Sequence, residues 1–213
     1  MPTTVTIDPA SPDRFRLQEI VRCLRAGGII IYPTETFYGI GALFTSESTL
    51  KRLFAIKQRD AEKPVLLLIP DISFLKNISS AVPPACKILA EHFWPGPLTL
   101  LVAAQPHLSS LVTGQNRTVG IRVSSNPIVQ ALLALLQDGI TSTSANISGD
   151  ISPASIEEIP EALLNAVDII IDGGKTPGHR PSTVFDISST PYKTVREGSI
   201  STGEIMKALE KTG

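Results

Sequence analysis

The chain has 213 residues, 42% of them hydrophobic and 18% charged, and its nineteen basic and twenty acidic residues give a formal net charge of −1. This length and composition predict a folded domain with a substantial core and exclude a disordered chain. The near balance of charge excludes a histone-like protein that binds nucleic acid through a global positive field. Without a linker, repeat or low-complexity tract, we expect one domain over residues 1–213.

In the N-terminal half, apolar residues alternate between helical and strand spacing. The spacing predicts, in chain order, a strand over 5–7, a helix from Ser11 to Gly27-Gly28, a strand over Ile29–Tyr32, a helix over Glu47–Ile56, a strand over Val65–Ile69 and a helix over Pro84–Phe93. Between the second strand and the second helix, Gly39-x-Gly41 is interpreted as a flexible turn.

In the C-terminal half the alternation continues, with Asn126 and Pro127 placed to cap a helix and fill its first turn. The predicted elements are strands over 98–103 and 118–123, a helix over Ile128–Leu136, a strand over 140–142, a helix over Ile156–Asn165, strands over 167–171, 183–187 and 193–196, and a helix from Ser201-Thr202. This order indicates an α/β or α+β sheet covered by helices.

No segment of the chain predicts a membrane span, a signal peptide or a structural metal site. The N-terminus has no basic stretch followed by an apolar one, and no apolar run is long enough to cross a bilayer, so we expect a cytoplasmic protein. The two cysteines and three histidines lack ligand spacing, which predicts no structural zinc and no protein-bound metal. They are Cys23, Cys86, His92, His107 and His179.

Polar residues that suit anion binding gather in four places beside the ends of predicted elements. They are residues 33–39, 57–63 and 141–149, and a set formed by Arg122, Ser182-Thr183 and Arg196. Each place also has a purely structural explanation. This is a turn for residues 33–39, a solvated helix end for 57–63, a helix-capping segment for 141–149 and surface arginines for the fourth set. Lys57 and Arg59 can face one site only if the helix ends by Lys57, because residues i and i+2 do not share a helix face.

Several catalytic motifs are missing from the sequence. There is no G-x-x-x-x-G-K-[ST] loop, no G-x-G-x-x-G after the first strand and no G-x-S-x-G elbow. The remaining Lys, Arg, Ser, Thr and Asn residues suit the binding of anionic substrates and charge stabilisation better than covalent catalysis.

In this order the polar segments resemble the YrdC-like, or TsaC-type, family of L-threonylcarbamoyladenylate synthases in its short single-domain form. The matching segments are Gly27-Gly28-Ile29, Pro33–Gly39, Lys57-Gln58-Arg59, Trp94–Thr99, Val119–Val123, Ser144-Ala145-Asn146, Ser182-Thr183-Val184 and Arg196-Glu197-Gly198. The resemblance implies an α/β fold with a twisted mixed sheet flanked by helices and a concave basic cleft.

The resemblance also implies a nucleotidyltransferase reaction. L-Threonine, bicarbonate or CO₂, and ATP with Mg²⁺ would give threonylcarbamoyl-AMP and pyrophosphate, and the adenylate would feed the threonylcarbamoyladenosine modification of tRNA. Partner proteins of the TsaD, TsaB and TsaE type would transfer the group, and RNA binding by this chain itself would be weak.

Site residues follow from the family pattern. Lys57 and Arg59 would be catalytic and would contact ATP, and the remaining nucleotide contacts would come from Thr118, Ser144, Asn146, Ser152 and Arg196. Arg122 would bind the threonine carboxylate, and Thr34 and Ser182 would contact other threonine groups. The substrate carbamate would supply the attacking oxygen, so no protein nucleophile is needed.

One departure from the family pattern and two alternatives remain. Some members hold threonine with a histidine in the strand that here reads Val65-Leu66-Leu67-Leu68-Ile69, so this chain would be a histidine-free form or would hold threonine differently. A YciO-like paralogue without the activity is one alternative, which the presence of Lys57, Arg59, Ser144 and Asn146 disfavours. A non-catalytic RNA-binding or ribosome-associated protein is the other, which the near-neutral charge disfavours.

Overall fold

The computed structural model describes residues 2–210. Its helices are α1 Arg14–Arg25, α2 Glu47–Lys57, α3 Leu75–Ile78, α4 Pro84–Phe93, α5 Ser110–Thr113, α6 Pro127–Leu136, α7 Glu161–Ala166 and α8 Thr202–Glu210, with 3₁₀ turns at Ile72–Phe74 and Ile156–Glu158. Its strands are β1 Thr3–Thr6, β2 Ile30–Pro33, β3 Tyr38–Gly41, β4 Leu66–Leu68, β5 Ser79–Ala81, β6 Leu98–Ala104, β7 Thr118–Arg122, β8 Ile140–Ser144, β9 Ile169–Asp172, β10 Thr183–Asp186 and β11 Lys193–Arg196.

The strands form a mixed sheet in the order β1-β9-β2-β3-β8-β4-β7-β6-β10-β11, and β5 adds to β6. The sheet contains parallel pairs, such as β4 with β7 and β6 with β10, and antiparallel pairs, such as β6 with β7 and β3 with β8. Strand β8 joins the two halves of the sheet, because it pairs with β3 on one side and β4 on the other. The predicted mixed sheet flanked by helices is therefore confirmed.

Local sequence signals set the starts of the helices. The side chain of Asn126 accepts hydrogen bonds from the backbone amides of Ile128 and Val129, and Pro127 occupies the first turn of α6, as predicted. Asp13 caps α1 in the same way. At 12 residues, α1 is the longest helix within residues 2–210, and none of the helices described there is long and apolar enough to cross a membrane.

In the half of the sheet around β2, helices cover both faces. Alternate side chains of a strand point to opposite faces, and those of Ile30 and Tyr32 join the core formed with α1 and α6. Ile31 points the other way and packs with Leu53 of α2 and Leu163 of α7. Burial on both faces explains why this strand is a continuous apolar run.

In the other half, one face of the sheet packs into a core, and the opposite face is covered at Leu68 of β4 but open over the neighbouring strands. Leu67, Leu100, Ile121 and Phe185 of β4, β6, β7 and β10 pack into the cluster that also contains residues of α4 and α8. Their neighbours point to the opposite face, where they line a cavity: Leu66, Thr99, Leu101, Thr118, Gly120, Arg122 and Val184. The uncovered face of these four strands is thus the floor of the cavity.

Two element predictions are wrong. The helix predicted over Ile156–Asn165 is divided into the 3₁₀ turn Ile156–Glu158 and α7, because Pro160 precedes α7 and cannot donate the hydrogen bond that a continuous helix needs. The segment around Gly39-x-Gly41 is strand β3, paired with β2 and β8. A Cβ at Gly41 would lie 1.9 Å from the carbonyl oxygen of Thr141, so close strand approach, and not flexibility, requires this glycine.

Candidate functional site

A cavity of about 570 Å³ lies over the uncovered face of the sheet. Its walls are loops that leave β2, α2, α5 and β8, together with the segments that precede β10 and end β11. The charged side chains on its wall are three arginines, Arg59, Arg122 and Arg196, and one carboxylate, Glu62. The Glu62 side chain accepts a hydrogen bond of 3.0 Å from Gln115, which also lines the cavity. This excess of guanidinium groups suits anionic ligands.

Arg122 ends β7 on the cavity floor and is 3% exposed. Its Nε lies 3.2 Å from Oε1 of Glu35, a carboxylate that follows β2. The second Glu35 oxygen accepts a hydrogen bond from the hydroxyl of Ser124. A buried arginine without a carboxylate partner would be costly, so this ion pair permits a guanidinium at the cavity floor.

Arg59 reaches the cavity because α2 ends two residues earlier. Gln58 adopts a left-handed conformation, with φ of 49°, and turns the chain away from the helix axis. The Arg59 Nε then donates to the carbonyl of Lys63 at 2.7 Å, and one Nη donates to the carbonyl of Pro64 at 3.0 Å. Burial lowers the pKa of the Arg59 guanidinium, and the group stays positively charged at neutral pH.

Lys57, the last residue of α2, is 1% exposed and does not line the cavity. Its Nζ donates to the carbonyl of Ser144, to the carbonyl of Asn146 at 2.6 Å and, at 3.4 Å, to Oδ1 of Asn146. Burial, and after it the charge of Arg59, lowers the pKa of Lys57 to about 8. The lysine therefore supports the loop after β8 from behind.

The loop after β8 is held by its own side chains as well. The Ser144 hydroxyl donates to Oδ1 of Asn146 at 2.6 Å, and Nδ2 of Asn146 donates to the carbonyl of Asp150 at 2.6 Å. Ser144 lines the cavity, whereas Asn146 is buried behind the wall. In this arrangement Lys57 and Asn146 shape the wall, and Ser144 presents its polar group to the cavity.

Two predicted threonine contacts already have partners in the protein. The Thr34 hydroxyl donates to the carbonyl of Phe37 at 2.7 Å and accepts from the amide of Thr36 at 3.1 Å. Ser182 Oγ lies 3.0 Å from the hydroxyl of Thr99 and accepts from Arg196 at 3.2 Å. Both residues line the cavity, but their hydroxyls make hydrogen bonds that stabilise the local backbone and side-chain conformation.

The structure brings eight of the ten predicted site residues to the cavity wall and places the other two, Lys57 and Asn146, directly behind it. The eight are Thr34, Arg59, Thr118, Arg122, Ser144, Ser152, Ser182 and Arg196. Burial, and after it the charge of Arg122, lowers the pKa of the Arg196 guanidinium.

Sequence reasoning did not identify three residues that the structure connects to the site: Glu35, Thr99 and Gln115. Thr99 could have been found, since it alternates with the buried Leu98 and Leu100 in β6 and must face the other side of the sheet. The pairing of Glu35 with Arg122 joins a loop residue to a strand end 87 positions away, and no local signal in the sequence predicts it.

The cavity wall, as far as residues 2–210 form it, offers few side chains that could bind a metal ion. Within residues 2–210 no group of three or more His, Cys, Asp or Glu side chains is arranged to hold a metal ion. Glu62 is the one carboxylate on the wall and is bonded to Gln115. This donor set does not form a protein cage for Mg²⁺, which in any case prefers several water and phosphate ligands.

Comparison of the sequence with known families and proteins gives consistent matches. The model of the Sua5/YciO/YrdC family, described as "Telomere recombination", matches residues 22–198. A threonylcarbamoyl-AMP synthase of Pyrococcus abyssi is 36% identical over 186 residues, which are 87% of this chain and 55% of that protein. One of Vibrio vulnificus is 36% identical over 172 residues, or 80% of this chain and 92% of that protein. The chain therefore spans about half the length of the Pyrococcus relative.

Solved structures share this fold over nearly the whole chain. P. abyssi Sua5 complexed with L-threonine matches with a TM-score of 0.91 and 32% identity, covering 98% of this chain and 61% of that protein. E. coli YciO matches with a TM-score of 0.87 and 30% identity, covering 96% of this chain and all of that protein.

Proposed function

Because the chain belongs to the Sua5/YciO/YrdC family, we propose that it is a threonylcarbamoyl-AMP synthase. It condenses L-threonine, bicarbonate or CO₂, and ATP into threonylcarbamoyl-AMP and pyrophosphate, with water released when bicarbonate forms the carbamate. The observation that carries the proposal is the convergence of three arginines from distant parts of the chain, Arg59, Arg122 and Arg196, on one cavity. Relatives with the synthase name and a Sua5 structure with threonine bound support it.

The reaction needs positive charge because its substrates are anions. The threonine carboxylate, the carbamate and the triphosphate repel one another, and this repulsion must be offset before a carbamate oxygen approaches the α-phosphorus. The carbamate oxygen attacks phosphorus, the bond to the bridging oxygen breaks, and pyrophosphate leaves with the electron pair. Fixed guanidinium groups lower this barrier without rearranging, since their positions are set before the substrates bind.

We assign roles to the cavity residues by their chemistry. Arg122, on the floor, binds the threonine carboxylate, with Thr34 and Ser182 beside it. Arg59 and Arg196 bind the phosphates together with Thr118, Ser144 and Ser152, which line the same cavity. Lys57 and Asn146 act on the nucleotide through the loop that carries Ser144, and the lysine adds a positive charge behind it.

Mg²⁺ enters this proposal with the triphosphate, where it neutralises phosphate charge when bound. We further propose that residues 1–213 form one catalytic domain in the cytoplasm. The adenylate is passed to tRNA-modification partners of the TsaD, TsaB and TsaE type.

The test is detection of threonylcarbamoyl-AMP by mass spectrometry, together with pyrophosphate release, from ATP, Mg²⁺, bicarbonate and L-threonine. Reactions without threonine, without bicarbonate or with Arg59→Ala are the comparisons. Product that requires every component and is strongly reduced in the variant is the expected result. If the folded protein forms no adenylate with all components present, the proposed function is wrong.

A second candidate is a YciO-like protein that keeps the fold but lacks this activity, and the match to the whole of E. coli YciO favours it. The same experiment separates the two functions. Binding of both ATP and threonine without formation of the adenylate would support this second candidate. RNA binding with no affinity for either small molecule would instead indicate a non-catalytic RNA-binding protein.

A further inference from the structure

The guanidinium of Arg122 is buried and makes an ion pair, but no hydrogen bond, with the described residues. Its Nε faces Oε1 of Glu35 at 3.2 Å, and the side chain is 4% exposed. Within the described residues, neither terminal amino group of Arg122 donates a hydrogen bond to the protein, although the residue lines the cavity. A planar guanidinium offers its two terminal amino groups as a fork that matches a carboxylate. The unused fork therefore faces the ligand space.

Glu35 lies on the other side of this guanidinium and does not line the cavity. Its side chain is 10% exposed, so little water is available to solvate the carboxylate. One oxygen faces Nε of Arg122, and the other accepts the hydrogen bond from Ser124. Ser124 in turn accepts a hydrogen bond of 3.2 Å from the amide of Asn126, the cap of α6. Glu35 is thus anchored to a helix start as well as to the arginine.

The loop that carries Glu35 is itself fixed. The Thr34 amide donates to the Phe37 carbonyl at 3.2 Å, and the Thr34 hydroxyl accepts from the Thr36 and Phe37 amides at 3.1 and 3.3 Å. This turn holds Glu35 between β2 and β7, which do not pair with each other in the sheet. The carboxylate cannot turn away from Arg122 without also breaking its hydrogen bond with Ser124.

We propose that Glu35 is the positioning residue of the threonine subsite. Its carboxylate holds the Nε side of Arg122 so that the terminal amino groups remain directed at the carboxylate of the amino-acid substrate. The 3.2 Å contact is an ion pair without an aligned hydrogen bond, since neither Nε nor Oε1 has a hydrogen-bond partner. Glu35 therefore orients Arg122 by charge. Both terminal amino groups of Arg122 remain available to donate hydrogen bonds to the ligand. This inference rests on the proposed function.

The experiment compares L-threonine with L-threoninol, which has an alcohol in place of the carboxylate. Calorimetric titration gives the ratio of the dissociation constant of threoninol to that of threonine, and this ratio measures recognition of the carboxylate alone. For Glu35→Gln we expect threonine to bind at least about tenfold more weakly, because losing a charge-assisted contact costs about this much. Threoninol and ATP should bind within about twofold of wild type, so the ratio falls.

Glu47→Gln is the matched control, because it removes a carboxylate of a surface ion pair, with Lys51, that does not line the cavity. We expect it to leave the ratio unchanged. Should Glu35→Gln not fold, as judged by circular dichroism, Glu35→Asp replaces it, since it keeps the charge but withdraws it by one methylene. Glu35→Asp should also lower the ratio. In an Arg122→Lys background, Glu35→Gln should have little further effect on threonine binding.

An unchanged threoninol-to-threonine ratio of dissociation constants in a folded Glu35 variant would overturn the positioning role. Equal weakening of threonine, threoninol and ATP would also overturn it, because that pattern indicates general damage to the cavity. If wild type binds threonine but the variant behaves like wild type, only this inference fails. If wild type does not bind threonine at all, the proposed function fails with it.

Discussion

At the scale of single residues, the three arginines of the cavity differ in how they are held. Arg59 is bound on one side by the carbonyls of Lys63 and Pro64 and is partly exposed. Arg122 is buried against Glu35, and Arg196 is bonded to Ser182. Replacing Arg59 therefore disturbs the folded structure least, and this arginine gives the clearest test of charge stabilisation.

We expect Arg59→Ala to lower kcat for threonylcarbamoyl-AMP formation by about 100-fold, because fixed donors at developing charge contribute effects of this size. Initial rates of pyrophosphate release measure it. Arg22→Ala is the control, since Arg22 is exposed on α1 and forms only a surface ion pair with Glu19. Turnover near wild type in Arg59→Ala would contradict the assigned role.

Lys57 makes folding depend on pH. Its pKa is lowered from 10.5 to about 8, so between these values the unfolded chain holds a proton that the folded chain releases. The free energy of unfolding should therefore rise with pH through this window, by at most about 1.4 kcal/mol per pH unit. Urea unfolding at pH 7 to 10.5 measures this rise, which should be missing in Lys57→Met. The same slope in both proteins would show that another group titrates.

At the scale of elements, most helices and strands could be predicted because each follows one periodicity. The helix of α4 was predicted with its observed bounds, Pro84–Phe93. Strand β3 was missed because two of its four residues, Gly39 and Gly41, usually indicate a turn. Glycine is required at position 41 because the Thr141 carbonyl of the neighbouring strand leaves no space for a Cβ. Such a contact across the sheet has no local signal in the sequence.

Gly120 of β7 tests whether the uncovered face of the sheet is the binding surface. A Cβ there would lie 3.2–3.4 Å from side chains of Leu66, Thr99 and Leu101 and would project into the cavity. We expect Gly120→Val to fold, because valine suits a strand, and to weaken ATP or threonine binding at least about tenfold by filling space. Ligand affinities at full circular dichroism signal measure this, and unchanged affinities would place the ligands elsewhere.

At the scale of the whole molecule, the set of site residues was more predictable than the part each one plays. The resemblance indicated ten residues, and eight of them line the cavity. Lys57 was expected at the phosphates but lies behind the wall, because the helix end turns its ammonium toward the carbonyls of Ser144 and Asn146. The direction of a side chain at a helix end depends on the neighbouring loop. The spacing of residues along the chain therefore does not predict this direction.

The net charge of −1 limits nucleic-acid binding by the chain as a whole. We expect any binding to a tRNA to be weak and to fall steeply with salt, because only a local group of arginines can replace phosphate counterions. Fluorescence anisotropy between 50 and 200 mM salt, with the Arg59→Ala variant for comparison, measures this. Tight binding at the higher salt concentration would contradict the expectation and favour an RNA-binding function.

The alternation of core and cavity residues along β6 and β7 has a consequence for divergence. Leu98 and Leu100 are buried, while Thr99 and Leu101 face the cavity. Mutations at every second position can therefore change which small molecule is selected, while the residues between them preserve the fold. Lineages that inherit this sheet can acquire new substrates through a few exchanges on one of its surfaces, while the opposite, core-facing surface stays unchanged.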